Sequence, residues 1–124
     1  MARELSTELG QITISDDVIA AIAGMAAHES YGLVGMASRT FTDGIAELLG
    51  LENISKGVEV KIDGEHVRIN LFVIVEYGTR VTEVAKNVID KVKYVVEAMT
   101  GLNVSEVKIT VQGVRVGNGG KEKR

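Results

Sequence analysis

VEVKIDGEHVRINLFVIVEY, residues 58 to 77, is the stretch whose reading decides the fold. Val58, Val60 and Ile62 alternate with Glu59, Lys61 and Asp63, the period-two pattern of a strand with one buried face. Asp63-Gly64 is a turn signal, and beyond it the chain resumes as VRINLFVIVEY. The two segments predict a β-hairpin. In its second strand Val67, Ile69, Leu71, Val73 and Val75 share one face while Phe72 and Ile74 lie on the other. The middle of that strand is therefore expected to be central in a sheet and covered on both sides.

Upstream, QITI at 11–14 alternates as a short strand and leads at once into SDDVIAAIAGMAAHES. Ser15 is a good N-cap, and Asp16 with Asp17 puts negative charge in the first turn, where the helix dipole favours it. Val18, Ile19, Ile22, Met25 and Ala26 recur at helical spacing, predicting a helix that buries this stripe and ends near Ser30. Between 38 and 57, Phe41, Ile45, Leu48 and Leu49 can share one face of a helix of about two turns, with Gly50 as its stop, and that face is either a lid completing the core or an apolar patch offered to a partner.

Downstream, Val84, Val88, Val92, Val95 and Met99 repeat every three or four residues from about Thr82 to Thr100, which predicts the main helix, with Gly101 as a left-handed C-cap. Asp90 to Lys93 and Lys93 to Glu97 are spacings that allow surface ion pairs. SEVKITVQGVRV then alternates as a last strand. The order is β-α-(α)-β-β-α-β, a two-layer α+β sandwich in which a largely antiparallel sheet carries both long helices on one face. Residues 1–9 read as an N-terminal arm, 10–116 as a single domain and 117–124, GNGGKEKR, as a flexible tail.

Composition fits one ordinary globular domain: 124 residues, 45% hydrophobic and 25% charged. With 14 basic against 17 acidic residues, the summed field does not favour phosphate backbones, and aromatics at 4% offer little to stack bases. Nucleic acid is thus an unlikely partner. The longest aliphatic and aromatic run, LFVIV at 71–75, is far short of the ~20 residues needed to span a bilayer, and MARELSTELG lacks a signal-peptide core. A soluble chain that cannot cross a membrane by itself is expected; if it works near one, something else must hold it there.

HESYGLVGM, 28–36, gathers a histidine, a glutamate, a serine and a tyrosine. At about 100° per residue the side chains of His28 and Glu29 diverge. The stretch reads better as a helix end, with His28 suited to the last turn, Ser30 and Tyr31 as the exit and Gly32 as the left-handed turn. No catalytic residue is assigned. Two scattered histidines and no cysteine make a poor metal site, the glycines of GVRVGNGG precede no helix that would bind phosphate, and no cofactor is expected.

Two stretches, GQITISDDVIAAIAGMAAHESYGLVGMASR (10–39) and YGTRVTEVAKNVIDKVKYVVEAMTGLNVSEVKITVQGVRV (77–116), resemble the alkaline shock protein twenty-three family of envelope-stress proteins. Four features carry the likeness: the G-x-[IV]-x-[IV] start with a helix ending in G-[LV]-x-G-M; an aliphatic strand ending in Tyr77-Gly78; an E-V-A-x-x-V helix closing on M-T-G-L; and the terminal alternating strand. The compact form is most similar to the short, single-domain YloU-like branch. Many members have proline where this chain has Thr82, at the start of the E-V-A helix.

The resemblance implies a cytoplasmic role in cell-envelope homeostasis, and protein partners: a membrane-anchored family member or a kinase-like protein related to dihydroxyacetone kinase and fatty-acid kinase. It supplies no catalytic residues. The leading expectation is a non-enzymatic interaction protein, membrane-proximal through a partner, with Tyr31, Leu33, Val34, Met36, Phe41, Ile45, Leu48 and Leu49 as contact residues. An exposed sheet edge could also pair with another copy in a homo-oligomer. The alternative is a small-molecule or lipid accessory module for the kinase-like partner, which requires an apolar cavity between helices and sheet.

Overall fold

The structure is a computed structural model that describes residues 2–38, 48–64 and 66–116. The described residues form β1 (Ala2–Ser6), β2 (Gln11–Ser15), α1 (Asp16–His28), β3 (Leu33–Met36), a 3-10 helix (Leu51–Gly57), β4 (Val58–Asp63), β5 (His66–Glu76), α2 (Val81–Thr100) and β6 (Asn103–Arg115). The α+β sandwich expected from the sequence is present.

β5 organises the sheet. Antiparallel β4 pairs with its first half, from Asp63 opposite His66 to Val58 opposite Leu71, and the turn between them contains Gly64 at φ +63°. Antiparallel β3 pairs with the second half, from Met36 opposite Val73 to Leu33 opposite Val75. β3 and β4 thus follow one another along one edge of β5. β6 runs parallel to β5 along the other edge, from Asn103 opposite His66 to Arg115 opposite Glu76. Adjacent parallel strands need a long crossover, and the 20 residues of α2 supply it.

The core lies between the helices and the β5 face bearing Val67, Ile69, Leu71, Val73 and Val75, all of them buried. On the opposite face Ile74 is also fully buried, against Ala37 and Val34, so the centre of β5 is covered on both sides. α1 buries Ile19, Ala20, Ala23, Ala26 and Ala27. The stripe read from the sequence is therefore rotated: Val18 and Met25 are partly exposed, and the small alanines bring the helix close to the sheet. α2 likewise buries Val84, Val88, Val92, Val96 and Thr100, a strict four-residue spacing that leaves Met99 exposed and Val95 half-buried.

Helix ends follow the sequence. Ser15 Oγ accepts from Val18 N at 3.3 Å, and Gly101, at φ +76°, donates its N–H to Glu97 O at 2.9 Å. Besides β3 at Leu33–Met36, a strand that the predicted order lacks, two segments depart from it. Residues 2–6, within the stretch read as an arm, form β1 and pair with β2 from Ala2 opposite Ser15 to Ser6 opposite Gln11, in a two-stranded sheet of their own. The Thr7 hydroxyl closes that hairpin by accepting from the N–H groups of Leu9 and Gly10.

In the second, Leu48 and Leu49 are not helical. Leu48 bridges to Ala37, and Leu49 N donates to Met36 O at 2.8 Å, so the end of β3 captures this backbone. Gly50 precedes the 3-10 helix instead of ending a helix. Phe41 and Ile45, the other two residues of the expected helix, lie outside the described residues, as does the tail at 117–124.

Candidate interaction surface

The HESY stretch is a helix exit. His28 is the last residue of α1, and the Glu29 carboxylate reaches the Lys91 ammonium of α2 at 3.4 Å. Ser30 Oγ donates back to Ala26 O at 3.3 Å, while Ser30 N donates to Ala27 O at 2.9 Å. Gly32 then turns the chain at φ +87°, a conformation that costs residues with a Cβ. It also lets α2 approach: a Cβ there would stand 2.6 Å from Val84 Cγ2.

That turn places Tyr31 at one end of the sandwich. Gly32 O accepts from Glu76 N at 2.9 Å, so Tyr31 and Tyr77 flank a single hydrogen bond. Tyr77 N in turn donates to Arg115 O at 2.8 Å, which ties in the end of β6. Thr79 fastens the following turn through Oγ1 and N, both donating to Glu76 O at 2.7 and 3.2 Å. Tyr31 is 85% exposed and Tyr77 75%. Two aromatic side chains thus stand in solvent on a backbone held from three sides.

The expected contact residues separate into three groups. Tyr31 is exposed, and Leu48 is 41% exposed with Cδ1 2.7 Å from where a Gly35 Cβ would be. Leu33, Val34 and Leu49 are half-buried, Leu33 and Leu49 against the main core and Val34 against Ala37 and Ile74. Met36 is fully buried. Leu33, Val34 and Met36 belong to β3, a strand that the predicted element order lacks. Tyr77 had no place in that group, because periodicity assigns it only to the end of a strand.

The outer face of the sheet is a charge mosaic. Lys61 stands directly opposite Arg68, whose Nε donates to Glu106 Oε1 at 3.3 Å, and Glu59, Asn70 and Lys108 complete a shallow groove. Thr110 Oγ1 donates to Asn70 Oδ1 at 3.1 Å. On the helix side, Lys93 Nζ donates to Val104 O at 2.9 Å, while Glu97 Oε2 accepts from Val104 N at 2.9 Å and from Lys93 at 3.3 Å. Lys93 therefore pairs with Glu97 and not with Asp90, because β6 brings Val104 between the first two. These bonds hold the Glu97 carboxyl below its ordinary pKa, the Val104 N–H first and Lys93 after it, against desolvation. Among the described residues no group of three or more His, Cys, Asp or Glu could hold a metal ion.

The profile of a family with a cell envelope-related function matches residues 4–116. The chain belongs to the alkaline shock protein twenty-three family. It is 53% identical to YloU of Bacillus subtilis over 95% of this chain and 99% of that one, and 38% identical to Spy1614 of Streptococcus pyogenes over 94% and 97%. A stress response regulator gls24 homologue of Streptococcus pyogenes is 30% identical over 86% of this chain, which spans 59% of that protein. Among solved structures, a C-terminal domain of MamM aligns with a TM-score of 0.48 at 10% identity, over 78% of this chain and 93% of that one. For this family member, no described helix is long and apolar enough to cross a membrane.

Proposed function

We propose that this member of the envelope-related family is a non-enzymatic interaction protein. It contributes to cell-envelope homeostasis through protein contacts at the tyrosine end of the sandwich, acting from the cytoplasm and brought near the membrane by its partner. The observation that carries the reading is the joint exposure of Tyr31 and Tyr77 on either side of the Gly32–Glu76 hydrogen bond. An exposed tyrosine adds little to the core, yet it offers a large apolar ring and a hydroxyl at low entropic cost, which places tyrosine often at the energetic centre of interfaces. A membrane-anchored family member and a kinase-like protein are the partners the reading names.

The accessory-module alternative needs an apolar cavity between helices and sheet. The two concavities described lie elsewhere: the charged outer-face groove, and a cleft lined by Asp16, Asp17, Ser55, Lys56 and Glu59 beside the start of α1. Neither favours an acyl chain.

The test is mild crosslinking in the native cell, then affinity purification from membrane and soluble fractions with mass spectrometry. Tyr31→Ala with Tyr77→Ala should lose the recovered partner while the purified variant keeps its thermal midpoint within about 2 °C, since exposed substitutions cost little. Undiminished recovery by that variant would remove the surface from consideration.

A further inference from the structure

We propose that the second half of β6 is a self-pairing edge, joining antiparallel to the same strand of a second copy. This goes beyond the tyrosine surface, which would engage a different protein. Among the described residues β6 pairs with β5 alone, so one edge of a 13-residue strand is open. The direction of its peptide groups can be read from two hydrogen-bonding residues. Val104, on the helix side of the sheet, turns both N–H and C=O outward to Glu97 and Lys93, whereas Arg115, on the other side, turns its C=O inward to Tyr77. Side chains and peptide groups alternate together along a strand. Val107, Ile109, Val111 and Val114, which share Val104's face, therefore direct their peptide groups to the open edge; Ile109, Val111 and Val114 sit opposite Leu71, Val73 and Val75.

The two halves of this edge are treated differently. At its start, Lys93 and Glu97 occupy the outward groups of Val104, which bars a further strand there. From Ile109 to Val114 the sequence ITVQGV has no charged residue, whereas open edges are usually guarded by charge or proline. On the helix side of this half, Val111 is 38% and Val114 52% exposed, and Val116 just beyond is 61% exposed.

The spacing makes the stretch complementary to itself. The register with β5 skips Gln112, so Val111 and Val114 lie on one face although three residues apart. Gln112 Nε2 donates to Ser38 O at 3.4 Å, which draws its side chain back over the sheet and off the edge. A two-fold axis between Gln112 and Gly113 sets Val111 opposite Val114 of the second copy, and Ile109 opposite Val116. The outward peptide groups then meet in hydrogen-bonded pairs, and the exposed valines cover one another. An unrelated strand would meet the same edge without this matching of apolar positions.

Analytical ultracentrifugation of the full chain over a dilution series tests this. The wild type should show a reversible monomer–dimer equilibrium. Val114→Pro removes an outward N–H that β5 does not use, follows a permissive glycine, and should weaken dimerisation by at least about tenfold through the two bonds lost per dimer. Val111→Lys, which puts a charge on the edge, should do the same without touching the backbone. Both should keep the wild-type circular dichroism. Hydrogen exchange should show the amides of Ile109, Val111 and Val114 protected in the dimer and released on dilution. A chain that stays monomeric at its highest soluble concentration, or a dimer whose affinity neither variant changes, overturns the proposal. Partner capture through Tyr31 and Tyr77 is read separately and can fail or succeed independently.

Discussion

Lys93 and Glu97 close both peptide groups of Val104, and this is where the sequence undersold its own residues. One helical turn apart, they read as a surface pair worth a few tenths of a kcal/mol. The tertiary position of β6 makes them a clip between helix and strand, and no local pattern reveals that. The acid response follows. Glu97 has a folded pKa below its unfolded one, so its contribution to stability is fully present above the ordinary carboxylate value near 4.5 and is lost as pH falls through the lower folded value. Glu97→Gln keeps an acceptor for Val104 N but cannot ionise. Urea midpoints of the variant and the wild type should diverge above that range and converge as pH falls through it; a constant gap across pH would mean that the carboxylate charge plays no part. Gly32 is the contrasting case. Its left-handed turn was legible from its place after a helix-ending Ser-Tyr pair, but the close approach of Val84 was not, because that depends on how α2 packs.

At the scale of elements, long periodic segments were legible and short ones were not. α2 and the β4–β5 hairpin emerge where the sequence places them, because eleven to twenty residues of consistent period outweigh local noise. β3 has four residues, LVGM, with two adjacent apolar side chains at its start and a register irregularity between Leu33 and Gly35, so no alternation betrays it. Its apolar residues therefore read from the sequence as partner contacts, although Met36 is core. Leu48 and Leu49 give this distinction a test. Leu49 packs against the core cluster, and Leu49→Ala should cost about 1–3 kcal/mol. Leu48 is 41% exposed, and Leu48→Ala should cost less than about 1 kcal/mol. Chemical denaturation of the two single variants reads both values. Equal losses would show that Leu48 is as structural as its neighbour and has no surface left to offer a partner.

For the whole molecule, the layer arrangement was legible from the order of elements and from the family likeness, while the strand neighbours were not. Periodicity says which face of a strand is buried and nothing about which strand lies beside it. The parallel pairing of β5 with β6, and the sharing of the other β5 edge by β3 and β4, are properties of chain routing. So is the separation of β1 and β2 from the main sheet. This routing sets an order of stability. Every strand of the main sheet is held through β5, whose Val73 and Ile74 are fully buried on opposite faces, so its amides should open only with global unfolding. The β1–β2 hairpin is anchored chiefly by Leu5 and Ile14 against the core, and Ile12 and Leu9 stand out in solvent. A two-stranded hairpin has little stability of its own. Native-state hydrogen exchange should therefore show the cross-strand amides of β1 and β2 protected at least about a hundredfold less than those of Leu71 and Val73, with an opening that barely responds to denaturant because little surface is exposed. If the hairpin amides instead exchange at the β5 rate with the same denaturant slope, the N-terminal strands are part of the main cooperative unit, and the functional domain starts at β1.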